Sequence, residues 1–75
     1  MGSEKIRYVN LASIIIRMMI ENGGCIALRE IELMLGLDRQ QAYKRMWWLM
    51  RRGIVYRKTR GYYCLTQEAK KTYQP

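Results

Sequence analysis

Between Arg39 and Arg60 stand eight lysine or arginine residues, at 39, 44, 45, 51, 52, 57, 58 and 60, and no aspartate or glutamate. The 75-residue chain has a formal charge of +8, so this stretch matches the total and the remaining six bases balance the six acids. Charge gathered in this way attracts a polyanion. A merely solvated basic face usually mixes both signs, and here acids are absent for more than twenty positions. Between the bases lie side chains that can read a surface. The Gln40 amide can bond adenine through two hydrogen bonds, and Lys44 or Arg51 can address guanine or phosphate. Trp47 can stack on a sugar or a thymine methyl, or it can be an ordinary half-buried aromatic.

At about 100° per residue, Gln40, Lys44, Trp47 and Arg51 share one face of a helix, with Tyr43 at its border. Ala42, Met46, Leu49 and Met50 share the opposite, core-facing side. Arg39 and Gln41, in the first turn, suit phosphate contact, and Arg45 and Arg51 extend that backbone-gripping set. Trp48 diverges from Trp47 and points to the flank, under a hairpin or at a subunit contact. A second group, Arg57, Lys58 and Arg60, crowds a narrow turn that fits beside a phosphate backbone or in a minor groove. The other reading of these three is an edge hairpin kept soluble by charge.

Other chemistries find little material. The chain has no histidine, and neither cysteine has an evident neighbouring base, so no nucleophile–base pair is expected and the protein is not expected to be an enzyme. Two cysteines are too few for a zinc site from this chain alone, and no metal, cofactor or small-molecule ligand is expected. No apolar run approaches the roughly 20 residues of a membrane span. The first residues lack the apolar core of a signal peptide, so the expected location is the cytoplasm, or the host cytoplasm for a viral protein.

The elements that must position these groups are legible in outline. Residues 1–75 make one domain, small enough to be only marginally stable alone. A first helix is predicted over Arg7–Asn22, stopped by Gly23-Gly24. Its polar residues Asn10, Ser13, Arg17 and Glu21 form one narrow stripe. Leu11, Ile14, Ile15, Met18 and Met19 lie on one side of it, Ala12, Ile16 and Ile20 on the other. One core needs only one apolar stripe. Either a partner copy covers Ala12, Ile16 and Ile20, the preferred reading, or the small domain wraps the helix itself. Cys25–Ala27 is a short extended piece, and Leu28–Leu35 a second helix ended by Gly36. Asp38 begins a third helix, with Gln41 at the capping-box position, which runs to Arg52 and stops at Gly53. Strands follow at Ile54–Thr59 and Tyr62–Thr66 around an Arg60-Gly61 turn. Thr66 can cap a final helix, Gln67–Tyr73.

Helix, short strand, helix-turn-helix, glycine and hairpin, in that order, resemble the winged helix-turn-helix proteins. The likeness rests on Leu28-Arg29-Glu30-Ile31…Leu35-Gly36-Leu37, on Ala42…Met46…Leu49…Arg52-Gly53-Ile54-Val55, and on Tyr63-Cys64-Leu65-Thr66-Gln67-Glu68-Ala69. It is similar to the MarR-like branch and to the minimal winged-helix regulators of archaea and their viruses. Ala69 stands where that family usually has glycine, and the long terminal helices with which larger MarR proteins dimerise are missing. The resemblance implies an α+β, mostly helical fold: three helices, a small antiparallel sheet with a β-hairpin wing, and a short C-terminal helix. It also implies a recognition helix, 38–52, in the major groove of double-stranded DNA, where Gln40, Tyr43 and Lys44 read bases and Trp47 lies alongside. The wing, 57–61, would carry Arg57, Lys58 and Arg60 to the backbone or minor groove.

In such a fold the strand after the first helix pairs with the last hairpin strand. Cys25 and Cys64 would then face away from the core on neighbouring strands, near bridging distance. They are either a disulfide or two reduced thiols, the usual state in most cytosols. The expected function is a sequence-specific DNA-binding transcriptional regulator, a homodimer with no membrane partner. The alternative is a winged-helix interaction module that binds RNA or an acidic protein.

Overall fold

A computed structural model of the chain describes residues 3–73, with side chains from Leu11 onward. The chain folds as a mostly helical α+β domain of four helices and one three-stranded antiparallel sheet. In order these are α1 (Ser3–Glu21), β1 (Cys25–Ala27), α2 (Leu28–Leu35), α3 (Arg39–Arg51), β2 (Val55–Thr59), β3 (Tyr62–Leu65) and α4 (Gln67–Tyr73).

Helix α1 begins earlier than the expected Arg7 and ends at Glu21, with Asn22 outside it. Its end is built as a Schellman turn: the Gly24 N–H donates to the Met19 carbonyl and the Gly23 N–H to that of Ile20. The Asn22 amide then donates to a Glu30 carboxylate oxygen at 3.2 Å, tying the end of α1 to α2.

The sheet order is β1-β3-β2, so the last strand lies in the middle. Leu65 N–H donates to the Gly24 carbonyl and Leu28 N–H to that of Gly61. These bonds flank the β1–β3 ladder and place the pair Cys25–Cys64 at a narrow, non-hydrogen-bonded position, where opposing side chains approach most closely. The two cysteines are joined there in a disulfide, Cα–Cα 3.9 Å, spanning 39 residues of sequence. Ile26 opposite Tyr63 faces the helices, so the cysteines face the other way, as alternation requires. Facing away from the core does not leave Cys64 open: it is only 2% exposed. It sits on the central strand, with Cys25 and Tyr56 opposite it on either side.

Two expected strand ends also move. Ile54 lies in the turn before β2, where its N–H donates to the Leu49 carbonyl. Thr66 leaves β3 to cap α4: its hydroxyl accepts from Ala69 N–H at 3.2 Å and donates to the Gly53 carbonyl at 2.7 Å. One side chain thus fastens the end of α3 to the start of α4.

The core lies between the helices and one sheet face. It contains Ile15, Ile16 and Met19 of α1, Ile26, Leu28 and Ile31, Ala42, Met46 and Leu49 of α3, Val55, Tyr63 and Leu65 of the sheet, and Ala69. This corrects the reading of α1. The core direction runs between the two apolar sides, through Ile15, Met19 and Ile16, rather than along one of them. Ile16, expected at a partner surface, is 7% exposed within the single chain, and Ala12 and Ile20 are half-buried against the same core. Ile14, expected inside, is 42% exposed. Ser13, Arg17 and Glu21 of the polar stripe are exposed, while the Asn10 side chain lies outside those described. No described helix is long and apolar enough to cross a membrane.

Candidate nucleic-acid interface

Helix α3 is held at both ends by its own sequence. Asp38 is the N-cap, just before the helix. Its Oδ1 accepts from Gln41 N–H at 2.8 Å, and Gln41 Oε1 accepts from Asp38 N–H at 3.0 Å, a complete capping box. Gln41, expected at phosphate, therefore commits its carbonyl oxygen to the cap. At the other end Gly53, φ 75°, takes the left-handed conformation that other residues adopt only at a cost. Its N–H bonds to the Met50 carbonyl, and the chain turns into β2.

Between these ends the two faces separate cleanly. Ala42, Met46 and Leu49 are buried. Arg39, Gln40, Tyr43, Lys44, Trp47 and Arg51 are exposed on the remaining surface. Trp47 and Trp48 meet edge to face, centroids 5.3 Å apart and planes at 79°. The Arg51 guanidinium lies 5.3 Å from the Trp47 ring centre, a cation–π contact that covers part of that ring.

The residues expected to act together fall into three places. Arg39, Gln40 and Tyr43 of α3 line a notch with Arg57 and Arg60 of the hairpin. Lys44, Trp47 and Arg51 continue along the exposed face of α3. Arg45 departs from this set. It is half-buried and lines a groove of about 940 Å³ between α1, α3 and α4, with Ala12, Ile16, Ile20, Trp48, Arg52 and Tyr73. Trp48 accordingly flanks α1 and α4 rather than packing under the hairpin.

The hairpin reaches α3 through its register. Arg57 pairs with Tyr63, whose neighbours on that face point at the helices, so Arg57 emerges on the helix side. A bulge follows: Arg57 opposes Tyr63 but Thr59 opposes Tyr62, leaving Lys58 as the extra residue. Gly61, φ 74°, occupies the second turn position, where a positive φ favours glycine. Its carbonyl accepts from Leu28 N–H at 2.8 Å, so the turn is tied to the start of α2.

Two notch residues carry no sequence signal of a site. Leu28 and Tyr63 read simply as inward apolar positions, and only the fold brings them beside Arg57 and Tyr43. Burial raises the pKa of the Tyr63 hydroxyl above the usual 10.0. Tyr43 raises it further, and the Arg57 charge acts in the opposite sense. Among the described residues, no group of three histidine, cysteine, aspartate or glutamate side chains is placed to hold a metal ion. Comparison with protein-family models, with curated proteins and with solved structures finds no match to the chain.

Proposed function

We propose that the chain is a sequence-specific double-stranded DNA-binding transcriptional regulator of winged helix-turn-helix type, acting in the cytoplasm. The observation that carries this reading is one surface: a capped helix whose core side is fully packed and whose free side presents Gln40, Tyr43, Lys44 and Trp47, flanked by the hairpin cations. Thirteen residues make a helix of roughly 20 Å, and a helix fits the major groove, about 12 Å wide. On this reading α3 enters that groove. Gln40, Tyr43 and Lys44 meet the bases, Trp47 stacks on a sugar or a thymine methyl, and Arg39 and Arg51 hold phosphates. Arg57, Lys58 and Arg60 form a wing on the adjacent backbone or minor groove. The protein acts as a homodimer, which doubles the phosphate contacts and selects two half-sites spaced by the helical repeat. With Ile16 buried in its own chain, the partner surface is drawn from Ala12, Ile20 and the neighbouring groove wall.

Selection of bound duplexes from a random DNA pool tests this directly. The expected outcome is one enriched motif with two-fold symmetry. If duplexes of unrelated sequence and a folded RNA all compete equally, the regulator reading fails. An interaction module for RNA or an acidic protein then takes its place. Salt dependence alone does not separate the two, because any phosphate contact weakens with salt.

A further inference from the structure

The notch between the first turns of α3 and the hairpin has a volume of about 320 Å³. Leu28, Tyr43 and Tyr63 give it apolar walls, and the side chains of Arg39, Arg57 and Arg60 stand around it. Among the described residues, no acidic side chain lines it. The nearest acid in sequence, Asp38, is engaged by the Gln41 backbone.

Tyr63 is the informative residue. It is 1% exposed, yet its hydroxyl makes no hydrogen bond among the described residues. Buried tyrosine hydroxyls normally find a partner. No fully enclosed side-chain oxygen lacks a bond among the described residues, so this hydroxyl keeps a small accessible area, on a residue that lines the notch. An unpartnered hydroxyl on a residue that lines a notch ringed by arginines is placed to meet a ligand.

We propose that the notch is a seat for a phosphate ester: Arg39, Arg57 and Arg60 take the phosphate charge, the Tyr63 hydroxyl donates to one phosphate oxygen, and Leu28, Tyr43 and Tyr63 support the attached sugar or base. Guanidinium groups are suited to the anion because they donate in a planar fork. The apolar walls separate this site from one for a bare anion, which would leave them uncovered. The volume lies at the small end of ligand pockets and suits a single nucleotide unit. A tyrosine keeps its proton at neutral pH, and burial pushes the Tyr63 pKa further up, so the hydroxyl is available as a donor. The Leu28–Gly61 hydrogen bond holds the hairpin turn in place, so one wall is already formed.

Two sources supply this chemistry: a backbone phosphate of bound DNA, or a free nucleotide. The first rests on the function proposed above and the second does not. A free nucleotide in the notch would engage Arg39, Arg57 and Arg60 and so compete with DNA.

Calorimetric titration separates the outcomes, using adenosine 5′-monophosphate, inorganic phosphate and a selected duplex as probes. Y63F removes only the hydroxyl. Y56F, on the opposite sheet face, is the control. The expected result is that the nucleotide binds the wild type more tightly than inorganic phosphate, and that Y63F weakens it roughly tenfold, the size of one charge-assisted hydrogen bond, while Y56F does not. If the nucleotide does not bind but Y63F weakens the duplex by a similar factor, the seat stands with DNA as its source. If the nucleotide binds and no duplex does, the seat stands and the regulator reading falls. The proposal is overturned if Y63F leaves every affinity unchanged, if neither nucleotide nor duplex binds the wild type, or if inorganic phosphate binds as tightly as the nucleotide. Should Y63F fail to fold by circular dichroism, the exposed double variant R57Q/R60Q carries the same comparison, with unchanged affinities again overturning it.

Discussion

At the scale of single residues, the proposed function gives reading and gripping to different side chains, and this separates two experiments. Replacing Gln40 and Lys44 with alanine is expected to flatten preference among duplexes, since each good base contact discriminates by roughly 1–3 kcal/mol. Competition binding against a panel of single-base variants checks this, and an unchanged ranking removes both residues from base readout. Replacing Arg57, Lys58 and Arg60 together is expected to weaken all duplexes alike. The slope of log affinity against log salt should become shallower by about one for each phosphate that is no longer neutralised. Tyr63 contributes a pH effect with a definite sign. Its pKa is raised in the folded state, so its stabilising contribution is complete below the ordinary tyrosine value of 10.0 and is lost as pH rises through the raised one. Alkaline unfolding followed by circular dichroism should therefore be less steep in Y63F than in the wild type. The two faces of α3 are largely legible in the sequence by helical phase. Gln41 is legible as a cap, but the consequence, a backbone N–H held by Asp38 and so withdrawn from phosphate, needs the hydrogen bond itself. Tyr63 reads only as core, because alternation along a strand tells which way a ring points and not what meets its hydroxyl.

At the scale of elements, the capped helix and the bridged sheet carry the stability that positions the site. Asp38→Ala removes one half of the capping box and is expected to cost about 1 kcal/mol, read as a lower melting temperature. Truncating Met46 to alanine empties the centre of the α3 core face and is expected to cost about 2–5 kcal/mol. The Cys25–Cys64 bridge closes a loop that contains α2, α3 and β2. Its removal, by reduction or as C25S/C64S, is expected to cost on the order of 2–4 kcal/mol, a fall of roughly 10–30 °C in a domain this size. Thermal melts with and without reductant check it, and equal melting temperatures would show that the bridge adds nothing. The order of elements is legible because each has its own stop or start signal: Gly23-Gly24, Gly36, Asp38, Gly53, Arg60-Gly61 and Thr66. The bulge at Lys58 is not, since no residue there marks it and the shift exists only in the pairing of two strands.

At the scale of the whole molecule, assembly turns on what covers the remaining apolar surface. Ile14 is 42% exposed, and Ala12, Ile20, Trp48 and Tyr73 line the groove between α1, α3 and α4. The proposed homodimer is expected to sediment as two copies at micromolar concentration. A monomer there would leave this surface without its partner and the regulator with a single half-site.

Composition and spacing alone determined that the charge lies in one stretch, that helices, turn and hairpin follow in this order, and that α3 has a core side and a free side. These are local properties, set by helical period, caps and glycine stops. Tertiary structure decided what depends on distant residues meeting. Ile16 belongs to the core because the direction of packing against α1 is set by its neighbours and not by its own pattern. Cys25 and Cys64 are bridged because strand register places them opposite one another. Arg39, Arg57, Arg60 and Tyr63 form one notch because the central strand carries the hairpin back beside the start of α3, a proximity that no spacing along the chain contains.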